Sequence, residues 1–261
     1  MVFSPLRSGS SGNVSYLEAG CLCLLIDAGL PAKMIVSLLG EIHVSTQQLS
    51  GILITHEHTD HIAGAGTLSR RFDLPIYATE GCWEHLCHAI GKIAPHNIRV
   101  IEQDQPFYIQ DLHILPFSIP HDSATPVGFA FQHDNHKIAL MTDFGHASQH
   151  MLDAVAGADL LLLEANHDTE MLRAGNYPFS LKMRILSAHG HLSNEDAGLI
   201  LVHLYQKGLR HAILGHLSRE NNSPEIALTT VQSILAEAGV HDMHVDVALH
   251  DQLCGIFHLS R

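Results

Sequence analysis

Hydrophobic residues fall along the chain in short runs broken by polar turns, and no apolar run approaches the roughly 20 residues that span a bilayer. "VSYLEA" and "CLCLLIDAG" read as a hairpin of buried strands, a helical stretch follows near 33–39, and "GILIT" is a short buried strand ending in a polar turn. A helix near 61–72, the strand "PIYAT", a helix near 80–90 and several strands from "IRVIE" through "HKIALMTD" complete the first part. The second part repeats the alternation. "ADLLLLEAN" is strand-like, "SNEDAGLILVHLYQKG" is a helix with Ser193 as N-cap and Gly208 at its end, and "HAILGH" is another strand. A helix near 223–238 has proline in its first turn, and "MHVDVAL" and "LCGIFHL" read as final edge strands. Two β-rich halves, each covered by helices, predict an αββα four-layer sandwich, an α/β fold in which residues 1–261 form a single domain. Polar residues cluster just after the strands, where folds of this type place their sites.

Composition adjusts this picture in three places. The chain has 261 residues, enough to bury a large core without disulfides. Its five cysteines are an odd count, and Cys21 and Cys23, two apart on an apparent strand, have no partner pair at zinc spacing, so buried reduced thiols are expected. The formal charge of −13 argues against a basic clamp for nucleic acid, although bound divalent cations would add positive charge that the formal count omits. The opening "MVFSPLRSGSSGN" has neither an apolar h-region nor a small-residue cleavage site, so no membrane association and a cytoplasmic location are expected. The outlying number is 23 histidines, which directs attention to metal-ligand spacing.

The densest chemistry is "LITHEHTDHIAG", where His56, His58, Asp60 and His61 lie within six residues directly after an apolar strand. A rigid strand end orients several donors at once. His56 and His58, at i and i+2, can converge on one ion if the turn is extended, and Asp60 and His61 then point to a second place. Taken singly, His121 in "SIPHDS" and Asp143 in "LMTDFG" read as a loop histidine and a strand-end cap. The word Gly-His-Leu-Ser occurs twice, around His191 before a helix and around His216 at the end of a strand.

"THEHTDHIAG" resembles the signature of the metallo-β-lactamase superfamily, and the remaining motifs follow in order: Asp27 in "CLLIDAG", His121, Asp143, and His216 in "LGHLS". The resemblance implies that one metal takes His56, His58 and His121, that a second takes Asp60, His61 and His216, and that Asp143 bridges them. It gives Asp27 a supporting role. Such a donor set leaves positions open for a water, which separates catalytic from closed structural sites, and two cations can bring that water's pKa towards neutrality. Imidazole donors suit zinc, while the carboxylates and a phosphate substrate suit manganese or iron equally.

The fifth-motif "HLS" is similar to the phosphodiesterase branch typified by ribonuclease Z. That branch has a second histidine at the substrate phosphate, assisting the leaving group, and His191 occupies the corresponding place; capping the turn before Ser193 is the alternative. From "SGSSGN" through "EANHD", "YPFSLKMRILSAHGHLSN" and "GHLSRENNSPEIA", the chain resembles the WalJ/YycJ family. This implies a 5'-to-3' exonuclease on double-stranded DNA using metal-activated hydroxide held by Asp60. On the substrate side, Ser8, Ser11 and Asn13 sit in a Gly-rich loop that either presents hydroxyls and N–H groups to phosphate or forms a plain tight turn. Lys182 and Arg184 supply rare positive charge or a solvated helix face. Asn166 and His167 emerge at the site rim or are structural, and Asn221 and Asn222 contact substrate or cap a turn before Pro224. The rival readings are RNA or a small phosphodiester as substrate, hydrolysis of a thioester or lactone, and a metal-holding regulator without turnover; the oligomeric state stays open.

Overall fold

The structure, a computed structural model, describes residues 1–259. The first half contributes β1 (Val2–Arg7), β2 (Val14–Ala19), β3 (Leu22–Ile26), α1 (Ala32–Glu41), β4 (Gly51–Leu53), α2 (Thr59–Ile62), α3 (Ala65–Phe72), β5 (Ile76–Thr79), α4 (Glu80–Ala89) and β6 (Ile98–Ile101). The second contributes β7 (Phe107–Ile109), β8 (Leu112–Ser118), β9 (Val127–His133), β10 (His136–Met141), α5 (Gln149–Val155), β11 (Leu160–Glu164), α6 (Thr169–Ala174), α7 (Phe179–Ile185), α8 (Asn194–Tyr205), β12 (His211–Gly215), α9 (Pro224–Glu237) and β13 (His244–Val247). The chain closes with β14 (Phe257–His258). Two seven-stranded sheets result, in the orders β14-β1-β2-β3-β4-β5-β6 and β13-β12-β11-β10-β9-β8-β7.

The strand alternation explains the four layers. In β3, Leu22, Leu24 and Ile26 enter the layer between the sheets, while Cys23 and Leu25 face the helices. In β11, Leu160 and Leu162 take the inner side and Leu161 and Leu163 the outer. A strand covered on both faces has no polar side, so these read in sequence as continuous apolar runs. Outside them pack Ile35, Leu68 and Leu86 on the first sheet and Met151, Leu201 and Val231 on the second. The predicted αββα sandwich is the observed architecture.

Several expectations need correction. The helix expected at 61–72 is two pieces, because Gly64 N–H bonds the Ala28 carbonyl at 2.7 Å and turns the chain between them. Helices α5 and α6 were not anticipated; at seven and six residues they are too short to show a helical period and are started by the side chains of Ser148 and Asp168. Of "LCGIFHL" only Phe257–His258 is strand, and it pairs with β1, so the last strand belongs to the first half's sheet. The thiols are free, but Cys21 lies exposed at the turn before β3 and Cys87 is exposed as well, so burial holds only for part of the set. Among the described residues no helix is long and apolar enough to cross a membrane.

Strands β3 to β6 run parallel, as do β10 to β13. The chain therefore leaves β3, β4, β10, β11 and β12 on one rim of the sandwich, delivering Asp27, His56, Asp143, Glu164 and His216 to it.

Candidate metal centre and cleft

The turn after β4 is extended at His58 and helical from Thr59, so His56 and His58 point one way and Asp60 and His61 another. His56 Nε2 lies 3.1 Å from His58 Nδ1, which is 3.3 Å from His121 Nε2. Three ring nitrogens crowded together gain little from hydrogen bonds among themselves. Tetrahedral ligation at 2.0–2.1 Å would place neighbouring donors roughly 3.3–3.4 Å apart, so the trio fits a cation. On the other side, Asp60 Oδ2 is 3.7 Å from His61 Nε2 and 3.9 Å from His216 Nε2. Asp143 stands between the groups, with Oδ2 3.6 Å from His61 Nε2 and Oδ1 3.4 Å from His216 Nδ1. Asp143 Oδ2 and His216 Nε2 are buried without a hydrogen-bond partner. Buried polar atoms are rarely left so, and a cation accounts for both. The residues present thus fit divalent metal binding.

Each inward nitrogen is set by what its ring's other nitrogen meets. His56 Nδ1 lies 3.0 Å from Thr55 Oγ1, freeing Nε2. His61 Nδ1 is held by Asp27 Oδ2 at 2.8 Å, and Asp27 Oδ1 accepts from Thr55 N–H at 2.9 Å. This is the supporting place expected of Asp27. The local backbone is tightly built: Asn13 N–H bonds the Asp60 carbonyl at 2.7 Å, and Ala28 N–H bonds that of His61 at 2.8 Å. Gly29 lies so close that an added Cβ would fall 1.6 Å from the Asp60 carbonyl oxygen. Asp27, Asp143 and His216 all adopt positive φ, at 58°, 62° and 54°. Such conformations are uncommon outside glycine and collect at functional sites.

The two Gly-His-Leu-Ser copies meet on one carboxylate. Glu164 Oε1 accepts from His191 Nδ1 at 2.8 Å and from His216 Nδ1 at 2.9 Å, while Oε2 takes the backbone N–H of Phe144 at 3.0 Å and of Leu192 at 3.4 Å. Glu164 is completely buried. Sequence reasoning missed it; the available signal was an ionisable residue closing the apolar run "DLLLLEA". The surrounding elements differ, as expected. His216 follows β12, whereas His191 precedes α8, whose N-cap Ser193 accepts from Asp196 N–H.

Charge is balanced within the cluster. Burial and the neighbouring imidazoles His61, His121, His58 and His216 keep His56 neutral, well below the usual histidine range. Burial also opposes charge on His61, but the Asp27 and Asp143 carboxylates outweigh it and lift the ring to about 9. His216 is raised in the same way, against burial, by the carboxylates of Asp143, Asp60 and Glu164, the last bonded to its Nδ1. Protons thus hold the positive charge that the carboxylates require, and cations would displace them.

A cleft of about 240 Å³ opens beside the cluster, lined among others by His121, Asn166, Arg184, His191, His216 and Ser218. The expected substrate residues divide on inspection. Asn166 lines the cleft and also donates its amide to the His216 carbonyl at 2.9 Å. Ser11 is exposed and its Oγ accepts from Arg219. Ser8 is turned inward, accepting the His216 N–H at 2.8 Å, and Asn13 is buried with its amide 3.0 Å from His61 Nε2. Asn222 is buried too, bonded to the Ala165 and Asn166 carbonyls and to Asn194. These three brace the site's backbone and ligands rather than facing a phosphate, and Asn222 Oδ1 also accepts Ser223 N–H, as in the turn-capping alternative. His167 is buried with neither ring nitrogen partnered and is not among the residues that line the cleft. Lys182 bonds the Arg173 carbonyl at 2.7 Å, whereas Arg184, on the same helix, reaches the cleft and pairs with Asp122.

Comparison with known proteins identifies the family. A model of the β-lactamase superfamily domain matches residues 23–217. The chain is 42% identical over 237 residues to exodeoxyribonuclease YycJ of Bacillus anthracis, covering 91% of this chain and 90% of that one. It is 41% identical over 251 residues to exodeoxyribonuclease WalJ of Streptococcus pneumoniae, covering 95% and 93%. The crystal structure of the metallo-β-lactamase fold protein YhfI from Bacillus subtilis superposes with a TM-score of 0.73 at 19% identity, covering 98% and 99% of the two chains, a likeness of fold. Given a matched domain that spans every candidate donor, and relatives aligned almost end to end, the chain belongs to the metallo-β-lactamase superfamily and, within it, to the WalJ/YycJ family.

Proposed function

We propose that this chain is a divalent-metal-dependent exodeoxyribonuclease that degrades double-stranded DNA from the 5' end. The observation that carries the reading is Glu164, which holds His191 at the cleft and His216 in the donor cluster through one oxygen. Relatives named exodeoxyribonuclease support the substrate class. His56, His58 and His121 would hold one cation, Asp60, His61 and His216 a second, with Asp143 between them. When bound, zinc, manganese or iron in these places would neutralise phosphate charge and bring a water's pKa towards neutrality.

The chain's own groups supply the rest. Asp60 is held well below the usual carboxylate range, against burial, by the neighbouring His216 and His61 rings. It therefore stays ionised and can orient the attacking water by accepting a hydrogen bond from it. His191, fixed through Nδ1 by Glu164, turns its other edge to the cleft and donates a proton to the departing oxygen. Arg184 supplies positive charge for a phosphate at the cleft mouth, where Asp122 balances it in the free protein.

The formal charge of −13 favours a second reading, hydrolysis of a small phosphodiester or of a thioester or lactone. Metal-loaded protein should shorten a 5'-phosphorylated duplex from its 5' end and leave a glutathione thioester and a lactone intact. Cleavage of the carbonyl substrates alone would overturn the phosphoryl reading, and cleavage of an aryl phosphodiester without any DNA or RNA would move the substrate to a small molecule.

Arg184→Ala should raise KM for duplex DNA with a lesser effect on kcat, and should lower the salt dependence of binding by about one unit of log–log slope, as expected for loss of one phosphate contact. Lys182→Ala, whose ammonium is engaged with Arg173, should change neither. Equal effects from the two substitutions would remove Arg184 from the substrate path.

A further inference from the structure

Across β12 from the cleft lies a second group of donors that the reaction does not use. His211 begins β12 and His216 follows its end, so at about 3.3 Å per residue the two lie roughly 16 Å apart. In the parallel ladder His211 stands opposite His244, and Asp246, two residues further along β13, stands opposite Ile213. All three therefore share one face. That face is the inner one: Ile213 is fully buried between the sheets, and the Phe257 ring of β14 in the other sheet meets His211 edge-on at 5.1 Å. Apolar residues fill the layer up to this point, and then three metal-ligating side chains replace them at its rim.

Their atoms converge. His211 Nε2 lies 2.7 Å and His244 Nε2 3.3 Å from the same oxygen, Asp246 Oδ2. The rings meet edge to face at 4.7 Å, and the three donor atoms all lie within 4.8 Å of one another. Without a cation the 2.7 Å contact is a hydrogen bond; a cation would replace the ring protons and draw on all three donor atoms. Entry is open, because His244 is exposed and Asp246 partly so, while Phe257 and the strand pairing hold His211 in place.

We infer that His211, His244 and Asp246 form a second divalent-metal site, separate from the cleft, that ties edge strand β13 to β12. Two imidazoles and one carboxylate suit a borderline ion of the Zn2+, Ni2+ or Cu2+ class better than Mg2+ or Ca2+. Three protein donors leave coordination positions for water or for a donor from another molecule.

Zn2+ is the probe. Full-length protein dialysed against Zn2+ and washed through a desalting column should carry one equivalent per chain more than His244→Ala or Asp246→Asn. Zn2+ should raise the melting temperature of the wild type by more than that of either variant. His244 is exposed and outside the cleft, so both variants should retain wild-type nuclease activity, and His58→Ala should keep the additional equivalent. Unchanged zinc stoichiometry and an unchanged zinc-dependent melting shift in both variants would overturn the site. Since the readouts are metal content and stability, failure of the nuclease reading would leave this result standing, and the converse also holds.

Discussion

Glu164→Gln is expected to damage the protein in three separable ways. The carboxylate is completely buried and accepts four hydrogen bonds, from His191, His216, Phe144 N–H and Leu192 N–H. It stays ionised, held well below the usual range by His191 and His216 against the opposing effect of burial. An amide of the same shape has only one acceptor oxygen, and its NH2 meets donors. Breaking a buried charge pair costs about 3–5 kcal/mol, so the melting temperature should fall by on the order of 10 °C. Loss of a carboxylate that orients a ligand lowers metal affinity by about 10–100-fold, and a general acid no longer held in place loses about 10²–10⁴ in rate. Thermal melts, metal analysis and turnover on a labelled duplex separate the three effects. Wild-type melting together with wild-type turnover would show that Glu164 holds nothing of consequence.

Substitution of the two histidines on Glu164 should give opposite signatures. His216→Ala removes a donor whose Nε2 is buried and unpartnered, so bound metal should fall by at least one equivalent and turnover should be lost with it. His191→Ala should leave the metal content intact and slow cleavage by about 10²–10⁴ through loss of proton donation. The pH dependence follows from the same contact. Burial alone would pull His191 down, but the Glu164 carboxylate outweighs it and raises the ring above its ordinary value. The protonated form therefore dominates below that raised value, and the His191-dependent part of the rate fades as pH rises through it. Loss of a metal equivalent in His191→Ala would put both copies of the repeated word in the metal cluster and end this division of roles.

Much of the metal-centre reading was legible because its donors are local. Four of them fall within six residues after one strand, and no tertiary contact is needed to bring His56, His58, Asp60 and His61 together. The layered fold was legible for a similar reason: short apolar runs alternating with helices leave few ways to cover two sheets. The inward side chains were not. Ser8 and Asn13 read as either phosphate-facing or part of a tight turn, and Asn222 as either a substrate contact or a turn cap; their direction depends on segments far away in the chain, such as His216 for Ser8 and Asn194 for Asn222.

The two Gly-His-Leu-Ser copies show where the boundary lies. The sequence by itself determined that one copy ends a strand and the other starts a helix, because strand pattern and N-cap are properties of neighbouring residues. That both histidines share Glu164 was decided only when β11 paired with β12 in the parallel register that sets Glu164 beside Gly215, with α8 packed so that His191 enters from the other side. A lone glutamate after four leucines carries no mark of its partners. Its burial is tolerable only once two imidazoles and two backbone N–H groups surround it, and that is a condition of the folded chain as a whole.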